Sequence, residues 1–453
     1  MAATATDTET RARRSGESAH RITTLDSGVR VITERVPGVR SVALGFLIDT
    51  GSVVERDEQA GISHLLEHML FRGTERFASE EIDQIFDAMG AEINAGTDKE
   101  STSLYTRVLD GHLERAFDVM ADMIWRPRFG ELEAEREVVL EEIAMYEDDP
   151  QDRVFEEIGR AVFDGHPLGR PVIGTAAAVG AVTREQLAAY HAAHYTPGAI
   201  VIAAAGSVDH DALVAMAAAA EPAAGATAPA ERDAQPAASG ASTVSAAPDF
   251  ASRRRFLRKD TEQFHIAVGG PAIPRDDERR FALRVLEGIL GGTSSSRLFQ
   301  EIRERRGLAY SVFTYSNLYA RTGELGLYVG TRPENVAQAL EVVAAELRRA
   351  VEDPASEAEL VRSRENLKGR VVLGLESTGA RMGRLGGALL AGMPVLSVDE
   401  VIERVDAVGT DELRELAVEL LVPERLSVAG VGPDEHVFDA AVAPLAADAG
   451  AGS

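Results

Sequence analysis

Two histidines and a glutamate lie close together in the stretch GISHLLEHMLF, as His64, Glu67 and His68. On an α-helix, residues four apart share a face, so both imidazoles can reach one metal ion while Glu67 lies one turn beyond His64. Two nitrogen ligands beside a carboxylate that can deprotonate a water molecule are the parts of a zinc hydrolase, here in the inverted order H-x-x-E-H. The alternative is a packing or surface helix with two incidental histidines.

A catalytic zinc ion needs a third protein ligand and leaves its fourth position for water. The chain has no cysteine, which excludes thiolate zinc sites, disulfides, iron–sulfur clusters and cysteine nucleophiles, so this ligand must be a histidine or a carboxylate. Residues 131–149 form an acidic segment with helical periodicity, where Glu135 and Glu142 lie seven apart and near one face. Its apolar stripe consists of Leu132, Val138, Val139 and Ile143. Taken alone, such a segment is more typical of a solvated helix face.

Together the two segments resemble the pitrilysin/insulinase family of zinc metallopeptidases, which includes the mitochondrial processing peptidases. That family pairs an inverted HxxEH helix with a distant glutamate in a segment like E-R-x-x-V-x-x-E, and here HLLEHMLFRGT is followed by EREVVLEE. The resemblance is to bacterial relatives of the processing peptidase beta subunit. It implies one zinc ion per chain on His64, His68 and Glu142, Glu67 as the general base, and Glu135 as a support behind the ligands.

The resemblance extends to a strand between these segments. Residues 90–108, GAEINAGTDKESTSLYTRV, are similar to the family's edge strand, beside which the peptide substrate is laid as an added strand. The small residues Asn94, Ala95 and Gly96 permit close backbone approach, and main-chain hydrogen bonds hold a peptide without reading its sequence. Phe71 resembles the hydrophobic wall of the pocket next to the scissile bond, although a core position on the same helix fits it equally well.

The second half of the chain carries a further part of the resemblance. Residues 291–312, GGTSSSRLFQEIRERRGLAYSV, are similar to the family's C-domain signature. The match implies that Arg303 and Tyr310 reach the substrate, where a cation and a phenol suit the charge that develops on the carbonyl oxygen. Without the match, Arg303 would be an ordinary helix-surface charge. This half has no HxxEH motif, so we expect it to keep the fold without a metal site.

These assignments predict a zinc-dependent endopeptidase that acts on extended or unfolded polypeptides. Asp152 and Glu156 stand where processing relatives select basic residues near the cleavage site, so we expect them to contact substrate. The alternative is a non-catalytic subunit or a peptide-binding paralogue of the same fold. Such proteins typically lose a motif residue, and none is lost here.

The elements that must position these residues fall into two similar blocks. In each, an apolar strand opens the block, helices follow, and a second apolar strand comes late: residues 41–51 and 199–208, then 264–273 and 425–432. This internal repeat predicts an α+β fold in which two homologous domains, each an antiparallel-rich sheet backed by helices, form a clam shell.

Composition shifts set the expected domain boundaries. We expect a disordered tail over residues 1–19, a catalytic domain over 20–220, and an Ala/Pro/Gly-rich linker over 221–248. An inactive domain over 249–438 and a flexible tail over 439–453 would complete the chain.

Charge and composition limit the partners. The 453 residues carry a formal net charge of −26, which disfavours nucleic acid and anionic membranes as partners and leaves basic peptides and metal ions open. Most of this charge lies in the first half. There is no signal-peptide pattern and no apolar run long enough to span a membrane, so we expect a cytoplasmic protein. The family resemblance implies a homodimer or a heterodimer with a homologous subunit.

Overall fold

The computed structural model describes residues 20–221, 248–353 and 355–445. Its strands are β1 (His20–Thr24), β2 (Arg30–Arg35), β3 (Ser41–Ile48), β4 (Ile93–Thr97), β5 (Thr102–Leu109), β6 (Ile200–Gly206), β7 (Arg254–Arg258), β8 (Phe264–Ala272), β9 (Ala309–Leu318), β10 (Gly323–Thr331) and β11 (Ser427–Gly432). Its helices are α1 (Ile62–Leu70), α2 (Ser79–Ala88), α3 (Leu113–Trp125), α4 (Leu132–Asp148), α5 (Pro150–Val162), α6 (Ala176–Ala181), α7 (Arg184–His194), α8 (His210–Ala220), α9 (Arg280–Leu290), α10 (Val336–Glu352), α11 (Glu357–Gly374), α12 (Thr378–Leu390), α13 (Val398–Ala407), α14 (Thr410–Leu420) and α15 (Glu435–Val442).

The chain forms two compact units that are not continuous in sequence. Within the described residues, unit 1 consists of 20–143, 171–221 and 373–397. Unit 2 consists of the remaining described residues, beginning with 144–170. Helix α5 therefore belongs to unit 2, and helix α12 belongs to unit 1.

Unit 1 is built on a six-stranded sheet in the order β1-β2-β6-β3-β5-β4. Only the β2–β6 pair is parallel. The central strand β6 is buried along its whole length because its alternating side chains serve two cores. On one face, Ile200, Ile202 and Ala204 join the main core with α1 and α3. On the other face, Val201, Ala203 and Ala205 pack against helix α12.

Helix α12 approaches the sheet of unit 1 closely. A Cβ atom on Gly386 would lie 2.5 Å from Leu47 Cδ1 and 2.9 Å from the Cβ of Ala203, so any larger residue would force these neighbours or the helix to shift. An ion pair between Arg381 of α12 and the buried carboxylate of Glu34 on β2 adds a polar anchor. These contacts explain why a segment late in the chain belongs to the first sheet.

Unit 2 repeats this plan with a five-stranded sheet in the order β7-β11-β8-β10-β9. Only β7–β11 is parallel, so the sheet matches β2-β6-β3-β5-β4 strand for strand. Helix α5 packs on β11, β8 and β7, where Glu157 of α5 accepts a hydrogen bond of 2.6 Å from Arg255 of β7. Helices α9, α10, α14 and α15 carry the main core of this unit.

The α+β fold with two antiparallel-rich sheets backed by helices is confirmed, and the matching strand orders are those that a duplication requires. The domain boundaries differ from the expectation, because α5 and α12 each pack on the sheet of the other block. The C-terminal boundary also differs, since α15 continues past residue 438 and Leu445 is buried.

The expected N-terminal tail and nearly all of the expected linker lie outside the described residues. No helix in the described part of the chain is long and apolar enough to cross a membrane.

Candidate metal centre and active site

Helix α1 carries His64, Glu67 and His68 and is held firmly at its start. Gly61 precedes it with φ 97°, in the left-handed region, and a Cβ there would lie 2.6 Å from the carbonyl oxygen of Ile173. The buried carboxylate of Glu55 accepts hydrogen bonds from the backbone N–H groups of Gly61 and Ser63, each at 2.9 Å. A carboxylate at this end is favoured by the helix dipole, so Glu55 fixes the start of the motif helix.

The predicted ligands of α1 and α4 come together. His68 Nε2 lies 3.4 Å from Glu142 Oε2, and His64 Nε2 lies 3.7 Å from the same oxygen. Tetrahedral ligands bonded to zinc at about 2 Å stand about 3.3 Å apart, so the three atoms fit one such ion. Among the described residues, this is the one group of at least three metal-ligating side chains whose donor atoms all lie within 4.8 Å of one another.

Glu135 contacts the ring nitrogen of His68 that faces away from Glu142. His68 Nδ1 lies 2.7 Å from Glu135 Oε1, which leaves Nε2 directed toward Glu142. The other oxygen of Glu135 accepts a hydrogen bond from Arg72. Burial opposes ionisation of Glu135, but the bond with His68 and the charge of Arg72 hold the pKa of this carboxyl below its ordinary value. Glu135 is therefore a carboxylate, and as the acceptor for the Nδ1 proton of neutral His68 it fixes both the tautomer and the orientation of that ring.

The two histidines differ in their proton affinity. Burial, with a smaller contribution from His68, lowers the pKa of His64 to about 4, so this imidazole is neutral at physiological pH. Burial also lowers the proton affinity of His68, but its bond to Glu135 and the negative charges of Glu67, Glu135 and Glu142 outweigh it and raise the pKa of His68. A metal ion that binds His68 must therefore compete with a proton.

Glu67 lies beside the ligands and has the properties of a proton acceptor. Its carboxylate is buried, and Oε2 accepts a hydrogen bond of 2.6 Å from Thr97 Oγ1 of strand β4. Burial raises the pKa of Glu67, although Thr97 and His68 partly oppose this effect. A raised pKa brings a carboxylate nearer to the working pH of a general base.

The strand predicted to bind peptide is an edge strand. Strand β4 ends the sheet of unit 1, with β5 as its one neighbour in that sheet. Ile93, Ala95 and Thr97 are half-buried, whereas Asn94 and Gly96 are exposed. The Oδ1 atom of Asn94 accepts a hydrogen bond from the N–H of Ala95. Strand β4 thus combines an open edge with a side-chain contact to Glu67.

Phe71 ends helix α1 and is half-buried, where it packs against the main core of unit 1. This position is compatible both with a core residue and with the wall of a substrate pocket.

The apolar stripe predicted for α4 is mostly buried. Leu132, Val139 and Ile143 are buried as predicted, but Val138 is 48% exposed. The stripe prediction is wrong at Val138, because the helix turns that residue toward solvent.

In unit 2 the structure brings Arg303 and Tyr310 together. The guanidinium of Arg303 stacks over the ring of Tyr310 at 4.4 Å and also lies 4.8 Å from the ring of Phe299. Its Nη1 donates to the carbonyl oxygen of Tyr310 at 3.1 Å. Tyr310 is itself 77% exposed, so the pair presents a cation and a phenol on the surface of unit 2.

The two acidic residues expected to contact substrate lie on α5. Glu156 is engaged by the arginines Arg153 and Arg160 of the same helix. Burial, helped by the charge of Asp149, raises the pKa of Asp152. Their expected selection of basic residues stays a prediction.

Sequence reasoning missed Glu55, Arg72 and Thr97. Two of them carried a weak signal: Arg72 lies four residues after His68, and Thr97 lies two residues after Ala95, on the same face of the strand. Glu55 gave none, because its role depends on how the chain turns into α1.

Two protein-family models match this chain. The family model described as insulinase (peptidase family M16) matches residues 30–176. The model described as the peptidase M16 inactive domain matches residues 181–367.

Several curated relatives cover nearly the whole chain. An uncharacterized zinc protease of Streptomyces coelicolor is 42% identical over 416 residues, covering 91% of this chain and 89% of the relative. One from Mycobacterium tuberculosis is 41% identical over 417 residues, with 92% and 93% covered. The uncharacterized zinc protease YmxG of Bacillus subtilis is 38% identical over 422 residues, with 91% and 98% covered.

Solved structures show the same fold. A protease from Helicobacter pylori matches with a TM-score of 0.84 at 21% identity, over 92% of this chain and all of that one. A peptidase M16 inactive domain from Pseudomonas fluorescens matches with a TM-score of 0.80 at 22% identity, over 92% and 98%. The chain therefore belongs to the insulinase family of zinc peptidases, peptidase family M16.

Proposed function

We propose that the protein is a zinc-dependent endopeptidase that hydrolyses extended or unfolded polypeptides. The observation that carries this proposal is the convergence of His64 Nε2, His68 Nε2 and Glu142 Oε2 beside the buried carboxylate of Glu67. Two imidazoles and one carboxylate are a donor set that catalytic zinc accepts, and they leave a position for water. We propose one zinc ion per chain, since the described residues contain a single such group of metal-ligating side chains.

The ion would be held by His64, His68 and Glu142. When bound, it would supply Lewis-acid polarisation of a peptide carbonyl and lower the pKa of a water molecule. Glu67 would accept the proton of that water and later return it to the leaving amine. Glu135 would keep His68 in the tautomer that presents Nε2.

A peptide would be bound in extended form along strand β4. Its open edge offers main-chain hydrogen bonds, with Asn94 and Ala95 at the contact and Phe71 beside the scissile bond. As in the family, Arg303 and Tyr310 would contact the carbonyl group of the substrate. Recognition of basic residues by Asp152 and Glu156, and assembly as a homodimer or with a homologous subunit, complete the proposal.

The test compares Glu67→Gln with wild-type protein, measuring bound zinc and cleavage of a fluorogenic unstructured peptide. We expect near-stoichiometric zinc and turnover reduced about 10²- to 10⁴-fold. Glu141→Gln, an exposed neighbour of Glu142, is the matched charge control and should cleave normally. Normal turnover by Glu67→Gln would overturn the proposal. Absence of cleavage by the zinc-loaded wild type, with peptide still bound, would favour the non-catalytic alternative.

A further inference from the structure

The hydroxyl of Thr97 makes a short contact with Glu67. Thr97 Oγ1 donates to Glu67 Oε2 at 2.6 Å, and it is the one side-chain hydrogen bond to this carboxylate that the described residues record. The carboxylate is buried, where a hydrogen bond is stronger than in water and restricts the rotation of the group. The backbone of Thr97 also makes a hydrogen bond to this carboxylate, so Thr97 restrains the group through both its main chain and its hydroxyl.

The donor lies on the strand proposed to bind the peptide. Thr97 is the last residue of β4, paired with Thr102 of β5 in the ladder register. Ile93 and Ala95, on the same strand face, are anchored against the core of unit 1. The position of the Thr97 hydroxyl is therefore fixed by the sheet and not by a mobile loop.

We infer that Thr97 is a positioning residue that orients the Glu67 carboxylate from the peptide-binding edge strand. This inference rests on the proposed peptidase function and adds one residue to it. The Thr97 hydroxyl would help to hold the base in a fixed relation to a peptide added along β4. Misplacement of a reacting group by about 1 Å can cost about 10²-fold in rate, so loss of this bond affects turnover more than binding.

Unit 2 contains a similar hydrogen bond between a helix glutamate and a hydroxyl of the edge strand. Glu287 of α9 accepts a hydrogen bond of 2.6 Å from Ser316 of the edge strand β9, with no histidine pair beside it. Such a bond can therefore serve structure alone. The experiment must use readouts that a structural role would leave unchanged.

The experiment uses full-length, zinc-loaded Thr97→Val, Thr97→Ser and Thr106→Val proteins with a fluorogenic unstructured peptide. Thr106 on β5 donates to the carbonyl oxygen of Glu92 at 2.8 Å, so Thr106→Val removes a similar bond without touching Glu67. For Thr97→Val we expect bound zinc and KM within about twofold of wild type and kcat reduced about 10- to 100-fold. Thr97→Ser should restore kcat to within about threefold, and Thr106→Val should leave it unchanged.

Thermal unfolding of each variant checks the fold. If Thr97→Val does not fold, Thr97→Ala replaces it, because alanine already stands at Ala95 on the same strand face. Equal kcat for Thr97→Val and Thr106→Val would overturn the inference, as would a Thr97→Ser variant as slow as Thr97→Val. In either case an inactive Glu67→Gln variant still supports the peptidase function. An active Glu67→Gln variant contradicts both the peptidase function and the role of Thr97.

Discussion

The role of Glu135 can be tested without any cleavage assay. Glu135 lies outside the group formed by His64, His68 and Glu142. Its carboxylate lies 2.7 Å from His68 Nδ1 and is paired with Arg72 on its other side. Glu135→Gln keeps the size of the side chain and removes its charge. The variant loses the charge-assisted bond that orients His68 and leaves Arg72 without its buried counter-ion.

The expected magnitude follows from the kind of contact that is lost. Partners behind a metal-ligating histidine typically contribute 10- to 100-fold to metal affinity, which is about 1.4 to 2.7 kcal/mol. We therefore expect Glu135→Gln to bind zinc about 10- to 100-fold more weakly at about pH 8. Competition with a chromophoric chelator measures this dissociation constant. Glu137→Gln, an exposed position on the same helix, is the control and should bind zinc as wild type does.

The pH dependence gives a second, independent readout. In the wild type, Glu135 helps to raise the pKa of His68, so a proton displaces zinc from His68 as the pH falls through that raised value. The variant loses this contribution, and its His68 has a lower pKa. Proton competition in the variant then begins at lower pH, and the affinity difference should narrow between about pH 8 and about pH 6. Equal affinities at pH 8 in a folded variant would refute the supporting role of Glu135.

Further predictions concern the third ligand, the helix cap and the close contact of α12. Glu142→Gln should lose most bound zinc while Glu141→Gln retains it, and full zinc occupancy in the first variant would show that the third ligand lies elsewhere. Glu55→Gln weakens the start of α1 and should lower the free energy of unfolding by about 1 kcal/mol in denaturant titrations. An unchanged free energy of unfolding would contradict the role of Glu55 at the start of this helix. Gly386→Ala should destabilise the protein by about 1 to 3 kcal/mol because its Cβ meets Leu47 and Ala203. Gly387→Ala, whose Cβ would meet nothing within 4 Å, should be neutral or stabilising by about 0.5 to 1 kcal/mol, and equal effects of the two would contradict the contact.

Local spacing was sufficient to predict the shared helix face of His64 and His68 and much of the fold. The i and i+4 positions of His64 and His68 determine their shared face, and the strong apolar runs determine strands such as β6. The pairing of Glu142 with them needed the family resemblance, because the acidic pattern of α4 is equally typical of a solvated helix. The Glu142 carboxylate lies near both histidines because of where the fold places α4, which local spacing does not show.

Contacts between distant segments could not be predicted from the sequence. Helices α5 and α12 have no local feature that assigns them to the sheet of the other block. Their placement depends on complementary contacts such as Gly386 against Ala203 and Glu157 with Arg255. The supporting residues around the site also depend on such contacts. Glu55 bonds to backbone groups of α1, and Thr97 connects strand β4 to that helix.

The comparison between the two units separates what the fold provides from what the metal site adds. Both units tie a glutamate on the first helix after a matched strand, β3 or β8, to a hydroxyl of their edge strand. Glu67 on α1 is bonded to Thr97 in unit 1, and Glu287 on α9 is bonded to Ser316 in unit 2. In unit 2 the carboxylate also meets Arg284 at 3.1 Å, so its charge is compensated by a surface cation. In unit 1 the neighbouring groups are the two imidazoles, and burial raises the pKa of Glu67. The helix, the glutamate and the edge strand are thus common to both units, whereas the neighbours of the carboxylate differ: Arg284 in unit 2 and a pair of imidazoles in unit 1. Accordingly, adding histidines to α9 without removing Arg284 should not create a zinc site, and titration of such a variant with zinc alone would measure this.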